Sequence, residues 1–434
     1  MKRAEWLILG VAVGPVVGAG LATSSADYAT LPALLNVLGR LTGILALSLF
    51  LVAGCLSIRI PGFDRYFGGL TKLWKFHHRI ATAAFLCMLL HPLLLVISSH
   101  LISLSLARAV LFPGFVEGAA VWLGWGALLA AMVFLAPSFG FFGRPYYQRW
   151  KLLHRLSAVT LILAVLHTLS LSRTLPGNSH LLVWGVLVLG AGAAMSYRFF
   201  VAPRLFGYRY AVAEVAHLDG KTVEITMRPL GKTLSYKAGQ FVYLAPLDRT
   251  LGAGYAEEHP YTISSSPQNS DLRVAIKGLG DASRALLHIT PGSVVRLDGP
   301  YGDFFLPVES EFKELWIAGG IGVTPFLSRA RTLALRAERY DVCFIYCVQD
   351  ASKAVFMEEF RRIAVEQPGL KLFPHYFSVE GALSAEFLTN VCPDVAERLC
   401  YLCGPLPLMQ IAKDLLQKRG VAESRIRSED FELL

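Results

Sequence analysis

Residues 74–91 read W-K-F-H-H-R-I-A-T-A-A-F-L-C-M-L-L-H, and residues 150–167 read W-K-L-L-H-R-L-S-A-V-T-L-I-L-A-V-L-H. Both stretches match W-K-x-x-H-R-x(11)-H, so each places two histidines thirteen residues apart. The four histidines are His78 and His91 in the first stretch and His154 and His167 in the second. Histidine within an apolar span is costly and normally has a partner. Two matched pairs therefore predict ligands of a bound group.

Helix geometry arranges these histidines on two levels. Thirteen residues at ~1.5 Å each separate the two histidines of one stretch by ~20 Å along a helix. Two such helices side by side bring His78 near His154 at a cytoplasmic level, and His91 near His167 at an outer level. Because imidazole is a ligand of haem iron, the repeat predicts two stacked b-type haems, each held by two histidines.

The spacing leaves one ligand open. Thirteen residues at ~100° each turn the two side chains away from a common face, whereas fourteen would bring them closer. Fourteen favours His77 in the first stretch, whereas the repeat favours His78, with a tilt or a π-bulge to accommodate thirteen. We take His78 as the predicted ligand and keep His77 as the alternative.

Apolar segments surround both stretches. The chain has 434 residues, of which 54% are hydrophobic and 17% charged, and its long apolar runs lie before about residue 201. Each run is close to the ~20 residues that cross ~30 Å of hydrocarbon. The six predicted membrane helices are about 5–22, 34–57, 77–99, 119–137, 154–171 and 181–201. A signal peptide is the alternative for the first, but its length and the lack of a small-x-small site favour a helix.

Basic residues orient these helices. Lys and Arg cluster before the first segment, between the second and third, between the fourth and fifth, and after the sixth. By the positive-inside rule both termini and the soluble half face the cytoplasm of a cell (inner) membrane. The topology of the membrane half thus accounts for the net charge of +9. With the charge explained in this way, it is no longer an argument for nucleic-acid binding. Arg40 lies near the outer end of the second segment, where a haem propionate or the outer interface would accommodate its charge.

Residues from about 208 to 310 alternate short β-type runs with Gly and Pro turns, which predicts a small antiparallel barrel. Within it, residues 259–267 read H-P-Y-T-I-S-S-S-P, an aromatic ring and hydroxyls suited to stack on and hydrogen-bond a flavin. A second run, residues 274–284, offers backbone N–H groups and a hydroxyl at a helix start, which suits a pyrophosphate. The predicted flavin-site residues are His259, Pro260, Tyr261, Thr262, Ser264, Ile276, Lys277, Gly280 and Ser283.

Residues from about 311 to 434 alternate strands and helices, the pattern of a doubly wound nucleotide-binding domain. Residues 315–328 form a strand, a glycine-rich turn that lets the backbone approach a phosphate, and a helix start with Thr324 as cap and Pro325 first. A later strand ends in C-G-P at the edge that faces a ligand. The predicted nucleotide-site residues are Gly319, Gly320, Gly322, Thr324, Pro325, Cys403, Gly404 and Pro405.

These motifs resemble the NADPH oxidase and ferric reductase superfamily over almost the whole chain. The resemblance implies a six-helix transmembrane haem domain at 1–205, an FAD-binding antiparallel β-barrel at 206–310 and an α/β NAD(P)-binding domain at 311–434. The matching motifs are H-P-Y-T at 259–262, I-K-x-x-G-D at 276–281, G-G-I-G-V-T-P at 319–325 and C-G-P at 403–405.

Two further points follow from the resemblance. The closing S-E-D-F at 428–431 is similar to a terminal segment whose aromatic covers the flavin, which implies that role for Phe431; packing on the core is the alternative. Many members place an arginine for the 2′-phosphate of NADPH where this chain has V-Q-D at 348–350. NADPH is implied, with NADH possible, and Lys353 or Arg329 would replace that arginine.

The residues and the resemblance together imply a path for electrons from cytoplasmic NAD(P)H through FAD and two haems to an acceptor at the outer face. Cys403 and Phe431 would flank the hydride transfer, and no obligate protein partner is evident. We predict molecular oxygen as the acceptor, giving superoxide that Arg40 helps to hold. A ferric chelate is the alternative acceptor, followed by a quinone or a partner protein. A haem-free transporter or scaffold fused to a flavin reductase is a different interpretation, which bound haem would exclude.

Overall fold

Long apolar helices form most of the N-terminal half of the chain. A computed structural model describes residues 3–60, 62–116, 118–138, 147–171, 179–201, 207–305, 313–335 and 340–429. The chain divides into two compact units, residues 1–59 with 72–201 and residues 60–71 with 202–434.

The first unit is helical. Its helices are α1 (Arg3–Leu21), α2 (Leu31–Leu56), α3 (Leu70–His100), α4 (Leu104–Leu111), α5 (Ala119–Leu135), α6 (Tyr147–His154), α7 (Leu156–Leu171) and α8 (Ser179–Ser196). Among the described residues, five stretches are long and apolar enough to cross a membrane: Arg3–Leu21, Leu31–Leu56, Leu70–His100, Ala119–Ser138 and Trp150–Leu171. The sixth predicted segment forms α8 and a π-helical turn, Tyr197–Val201. The count of six spans stays a prediction.

The two copies of the sequence repeat have different backbones. The first copy lies in α3, which runs without a break and contains Pro92. The second copy is divided between α6 and α7, because the helix is interrupted at Arg155. Residues at equal spacing in the two copies therefore need not point in equivalent directions.

Small residues allow the helices of the bundle to approach one another. Leu47 and Leu51 of α2 pack with Ala127 of α5, Ala164 of α7 and Ala191 of α8. Such alternation of large and small side chains is the usual packing between membrane helices, where lipid removes the hydrophobic driving force. It places α2, α5, α7 and α8 around one core.

The second unit begins with an antiparallel sheet. Its strands are β1 (Gly207–Asp219), β2 (Thr222–Pro229), β3 (Phe241–Pro246), β4 (His259–Thr262), β5 (Leu272–Lys277) and β6 (Val294–Tyr301), in the order β4-β3-β6-β1-β2-β5. An isolated bridge between Ile263 and Val274 links the ends of this order. Burial alternates strictly along β6, as expected for a strand with one face on a core. The short helix α9 (Asp281–Ala285) follows β5.

A parallel sheet completes the second unit. Its strands are β7 (Lys313–Gly319), β8 (Asp341–Val348), β9 (Leu370–Tyr376), β10 (Leu399–Cys403) and β11 (Ile426–Glu429), in the order β11-β10-β7-β8-β9. The accompanying helices are α10 (Thr324–Ala334), α11 (Met357–Glu366), α12 (Phe377–Glu380), α13 (Ala385–Val391) and α14 (Leu406–Lys418). Cys403 at the end of β10 pairs with Ala318 of β7, so the glycine-rich loop after β7 lies beside the C-G-P turn. Ligands of such sheets bind at this edge.

Candidate functional site

The outer pair of histidines faces each other within the helical unit. The ring centres of His91 and His167 are 6.1 Å apart. An imidazole nitrogen binds a metal at about 2 Å, so two rings that share one iron through their Nε2 atoms stand about 6 Å apart, centre to centre. The observed separation therefore fits a single iron held between the two rings.

Backbone carbonyls fix both rings in the same way. His91 Nδ1 donates to the carbonyl of Gly39 at 2.7 Å, and His167 Nδ1 donates to the carbonyl of Ala120 at 2.7 Å. Because a carbonyl oxygen only accepts, each ring carries its proton on Nδ1. This hydrogen bond leaves each Nε2 deprotonated and available as a ligand.

A glycine makes room for each ring. A Cβ added at Gly43 would lie 2.6 Å from His91 Nδ1, and one added at Gly124 would lie 2.8 Å from His167 Nδ1. Each glycine follows its carbonyl by four residues, one helical turn, so α2 and α5 use the same local arrangement. The sequence analysis missed both glycines, although the small-x-x-x-Gly spacing of Gly39 to Gly43 and Ala120 to Gly124 was a visible signal.

An apolar cavity of about 360 Å³ surrounds this pair. His91 and His167 contribute to its wall, together with side chains of α2, α3, α5 and α7 and Trp184 of α8. Apolar walls and two available imidazole nitrogens suit a flat, largely apolar group such as a haem.

Arg40 also lines this cavity. Its Nη2 lies 3.7 Å from the carboxylate of Asp27, which the sequence analysis had not identified as a partner. Its Nε is buried and has no hydrogen-bond partner among the described residues. The guanidinium thus keeps unused donor capacity beside the His91 and His167 rings.

The neighbouring residues His77 and His78 have different surroundings at the inner level. His77 Nδ1 donates to the carbonyl of Ala53 at 2.8 Å, whereas the His78 side chain is exposed. The ring of His154 contacts Trp150, with ring centres 4.9 Å apart. His77, the alternative ligand, is therefore the one of the two neighbouring histidines whose ring is held by a backbone carbonyl, as in the outer pair, and the choice between it and His78 stays a prediction.

The interrupted helix of the second copy explains why aligning the two copies by sequence favours His78 over His77. In unbroken α3, fourteen residues from His77 to His91 leave the two side chains about 40° apart. In the second copy the helix is interrupted at Arg155, between His154 and His167, so the spacing of thirteen residues there does not correspond to that of an unbroken helix. The histidine that the sequence repeat aligns, His78, and the histidine whose ring is held by a carbonyl, His77, therefore differ by one residue.

The H-P-Y-T motif forms β4 and pairs with β3. His259 Nε2 lies 2.7 Å from the Glu257 carboxylate. Thr262 is buried, and the hydroxyl of Tyr261 is buried without a hydrogen-bond partner in the described part of the chain. Burial raises the pKa of Tyr261. The buried Tyr261 hydroxyl, unpaired within the described residues, fits a site for a polar ligand such as a flavin.

Two predicted flavin-site residues have other contacts. Ser264 is fully buried; its hydroxyl donates to Glu224 at 2.7 Å, and its backbone N–H donates to Arg273. Ile276 is a fully buried core residue of β5, paired with Val223. Both residues thus make contacts within the protein, and their assignment to the flavin site stays a prediction.

The predicted pyrophosphate turn is built around Ser283. Its hydroxyl accepts from the backbone N–H groups of Leu279 and Gly280, both at 2.9 Å. Gly280 is the N-cap of α9. Lys277 lies elsewhere, in the wall of a second cavity described next.

A cavity of about 520 Å³ lies between the two sheets of the second unit. Its lining includes Asp219 and Lys277 from the antiparallel sheet, Gly319 and Gly320 from the glycine-rich loop, and Pro405 from the C-G-P turn. Gly320 has φ +53° and open space around its Cβ position, so it alone of the predicted glycines combines the left-handed backbone with free access. The position at the carboxyl ends of parallel strands is that of a nucleotide site.

The other predicted glycines have a packing function. A Cβ at Gly322 would lie 2.6 Å from the carbonyl oxygen of Cys403, and a Cβ at Gly404 would lie 2.9 Å from Gly319 Cα. The two loops therefore touch through backbone, and Cys403 itself is fully buried. Thr324 is not the cap: it is the first residue of α10, its hydroxyl donates to the Ile321 carbonyl, and Pro325 follows it.

Only NADPH carries a 2′-phosphate, which a cation can bind. Among the residues that the structure describes, two lysines line this cavity, Lys277 and Lys353. Lys353 lines the cavity beside Gln349. Arg329 instead lies 3.9 Å from Glu314 and 5.6 Å above the ring of Phe305. Of the two residues considered from sequence, Lys353 is the one that lines this cavity.

Three carboxylates meet where β11 ends. Burial, followed by the charges of Asp64 and Asp303, raises the pKa of Glu429 to about 8. Asp64 belongs to the segment 60–71 that packs with this unit, and it accepts a hydrogen bond from the backbone of Gly302. Phe431, the predicted flavin shield, lies outside the described residues.

Comparison with known proteins identifies three regions. Residues 42–165 match the family "Ferric reductase like transmembrane component", residues 208–304 match an FAD-binding domain, and residues 316–414 match an oxidoreductase NAD-binding domain. A flavohemoprotein of Halalkalibacterium halodurans is 28% identical over 226 residues, 46% of this chain and 54% of that protein. An NADPH oxidoreductase of Mycobacterium tuberculosis is 27% identical over 208 residues, 46% of this chain and 53% of that protein. The chain thus covers about half the length of these relatives.

The chain is also similar to parts of solved structures. The FAD/NAD-binding domain of nitric oxide dioxygenase from Vibrio cholerae O1 biovar El Tor has a TM-score of 0.45 and 24% identity, over 52% of this chain and 98% of that one. A flavohemoglobin from Malassezia yamatoensis has a TM-score of 0.49 and 19% identity, over 76% and 88%. Together with the geometry above, the three matched regions give this oxidoreductase the architecture of the NADPH oxidase and ferric reductase superfamily: a ferric-reductase-like transmembrane component joined to FAD- and NAD-binding domains.

Proposed function

We propose that this protein moves electrons across the cell membrane, from cytoplasmic NAD(P)H through FAD and two bis-histidine b-type haems to an acceptor at the outer face. The observation that carries the proposal is the pair His91 and His167, with ring centres 6.1 Å apart and both Nδ1 atoms held by carbonyls. When bound, FAD and haem would supply the two-electron and one-electron redox chemistry.

The residues of the chain supply placement. His91 and His167 would hold the outer haem, and His77 and His154 the inner one. Apolar side chains around the outer pair exclude water. In the second unit, the H-P-Y-T motif with Tyr261, the turn at Gly280 and Ser283, and the terminal segment containing Phe431 would hold FAD.

The cavity at Gly320, Lys277 and Lys353 would hold the nicotinamide nucleotide, with Pro405 in its wall and Cys403 supporting that wall from the buried end of β10. We retain the division 1–205, 206–310 and 311–434. The positive-inside pattern supports a cytoplasmic position for the N-terminus and both nucleotide-binding domains.

Molecular oxygen, giving superoxide, is the acceptor we favour. The outer cavity is apolar, as suits a small neutral molecule, and Arg40 keeps an unpaired donor in its wall that would stabilise an anionic product. A ferric chelate is the second candidate, because residues 42–165 match the ferric-reductase-like component.

The test uses the full chain in detergent with FAD and NADPH under anaerobic conditions, followed by admission of oxygen. We expect a bis-histidine haem spectrum that becomes reduced, then rapid reoxidation with cytochrome c reduction that superoxide dismutase suppresses. Rapid reoxidation only after a ferric chelate is added would establish the second candidate. Well-folded protein that takes up no haem would refute the assignment of the histidines.

A further inference from the structure

Arg331 of α10 joins the nucleotide-binding sheet to the antiparallel sheet. Its Nη1 donates to Glu224 of β2 at 2.7 Å and to the Ser264 carbonyl at 3.0 Å, and its Nη2 donates to Glu224 at 3.2 Å. Its Nε and Nη2 also donate to Glu359 of α11 at 2.7 and 2.8 Å. The side chain is only 10% exposed. One guanidinium thus makes bidentate contacts with β2 and α11 and a single hydrogen bond to the loop at Ser264.

Neighbouring residues of α10 extend the same contact. Ser328 donates to the Ser265 carbonyl at 2.7 Å, and the Thr332 hydroxyl lies 3.2 Å from that of Ser266. Positions 328, 331 and 332 share one face of the helix. That face therefore contacts three consecutive residues, 264–266, which we call the serine segment.

The antiparallel sheet holds the serine segment from the other side. The hydroxyl of Tyr236 lies 2.7 Å from Ser265 Oγ, which also accepts from the backbone N–H of Arg273. Burial would raise the pKa of Glu224, but hydrogen bonds from Arg331 and Ser264 outweigh it and hold that pKa below its usual value. Glu224 is therefore ionised opposite Arg331 at neutral pH.

The sequence connects this contact to both ligand sites. The serine segment begins two residues after the flavin motif at 259–262, and α10 begins directly after the glycine-rich loop that ends at Val323. The contact is thus a short rigid path between the predicted flavin site and the predicted nicotinamide site.

We propose that Arg331 is a positioning residue for hydride transfer: by clamping the serine segment to α10 it sets the distance between the nicotinamide and the flavin. The inference rests on the proposed function. In the step concerned, a hydrogen nucleus with its electron pair leaves the reduced nicotinamide for the flavin, giving NAD(P)⁺ and reduced flavin, with no other oxidant needed. Arg331 touches neither ligand and acts through the two loops.

A buried ion pair such as Arg331–Glu224 fixes geometry more than it adds stability. Buried ion pairs are often no more stabilising than apolar groups of similar volume. What a bidentate arginine adds is one fixed orientation, which lysine does not reproduce. Displacement of reacting groups by about 1 Å can slow a step by about 100-fold.

The experiment compares Arg331→Lys with Arg398→Lys in the full FAD-loaded chain. Arg398 is a matched control: it is 3% exposed and binds Asp341 and Asp394, entirely within the nucleotide-binding sheet. Anaerobic stopped-flow would follow flavin reduction by NADPH and by NADPH deuterated at the transferred position. We expect Arg331→Lys to slow flavin reduction about 10- to 100-fold and to expose a larger isotope effect, while the Kd for NADPH changes less than about twofold. Arg398→Lys should lower the Tm without slowing the step.

Equal flavin-reduction rates in Arg331→Lys and the parent protein would overturn the inference. If Arg331→Lys fails to retain FAD, Glu224→Gln tests the same clamp and must show the same slowing, or the inference fails. Failure of the parent protein to reduce its flavin with NADPH or NADH would refute the proposed function itself, which separates the two conclusions.

Discussion

Replacement of Gly43 by alanine tests how the outer histidine is held. The added Cβ would lie 2.6 Å from His91 Nδ1, about 0.8 Å inside the ~3.4 Å of an ordinary van der Waals contact. Crowding of this kind costs about 1–3 kcal/mol. Displacing the ring also weakens its hydrogen bond to the Gly39 carbonyl, about 1 kcal/mol. The sum, about 2–4 kcal/mol, corresponds to roughly 30- to 1000-fold weaker retention of a group held by His91.

The assay is haem stoichiometry with redox titration of the purified chain. We expect the parent protein to carry two haems per flavin, and Gly43→Ala to lose the outer haem while the inner one keeps its spectrum and potential. Gly54→Ala is the control, since it lies in the same helix and has nothing within 4 Å of its Cβ position. Two haems with unchanged potentials in Gly43→Ala would refute the reasoning, and loss of both would point to general misfolding.

Three further predictions concern other sites. His77→Ala should lose the inner haem, whereas His78→Ala should keep both, as judged by haem content; the reverse pattern would restore His78 as the ligand. Because the folded pKa of Glu429, about 8, lies above its ordinary value, its contribution to stability is present below about pH 4.5 and is lost as the pH rises through about 8. Glu429→Gln, which stays neutral, should therefore flatten the fall in Tm from about pH 5 to about pH 8; an unchanged pH profile would contradict the shifted pKa. Lys353→Ala should raise the KM for NADPH about 10-fold and leave that for NADH nearly unchanged, and equal effects on both would exclude contact with the 2′-phosphate.

Five of the six predicted membrane segments overlap described stretches that are long and apolar enough to cross a membrane, because the signal for such a segment is local. An apolar run of about 20 residues defines a span whatever its neighbours are. The choice between His77 and His78 rested instead on the assumption that both copies of the repeat are unbroken helices. The second copy is interrupted at Arg155, and the residue types around Arg155 did not indicate this. The carbonyls of Gly39, Ala53 and Ala120 carry no side-chain signal, so the groups that hold the imidazoles could not be read from residue types.

The soluble half shows the same limit. The glycine-rich turn and the C-G-P turn were located correctly at neighbouring strand ends. Their glycines, however, divide into Gly320, which leaves room for a ligand, and Gly319, Gly322 and Gly404, which let two backbones touch. Ser264 followed a flavin-type motif but is used by Glu224 and Arg331. Such assignments depend on partners distant in sequence.

With His77 in place of His78, the proposed ligand set changes how the internal repeat is understood. On α2, the Gly39 carbonyl accepts from His91 and the Ala53 carbonyl accepts from His77. The two carbonyls are fourteen residues apart in the chain, as are the two histidines. In the other half, Ala120 accepts from His167, and fourteen residues further lies Phe134, whose ring centre is 5.4 Å from that of His154. His154 Nδ1 has no partner among the described residues. The second half therefore lacks the carbonyl contact that the inner histidine has in the first half, and its helix is interrupted at Arg155. A histidine without that hydrogen bond is a weaker electron donor to a metal, so under the proposed function His77 and His154 would differ in strength as ligands, whereas His91 and His167 would match.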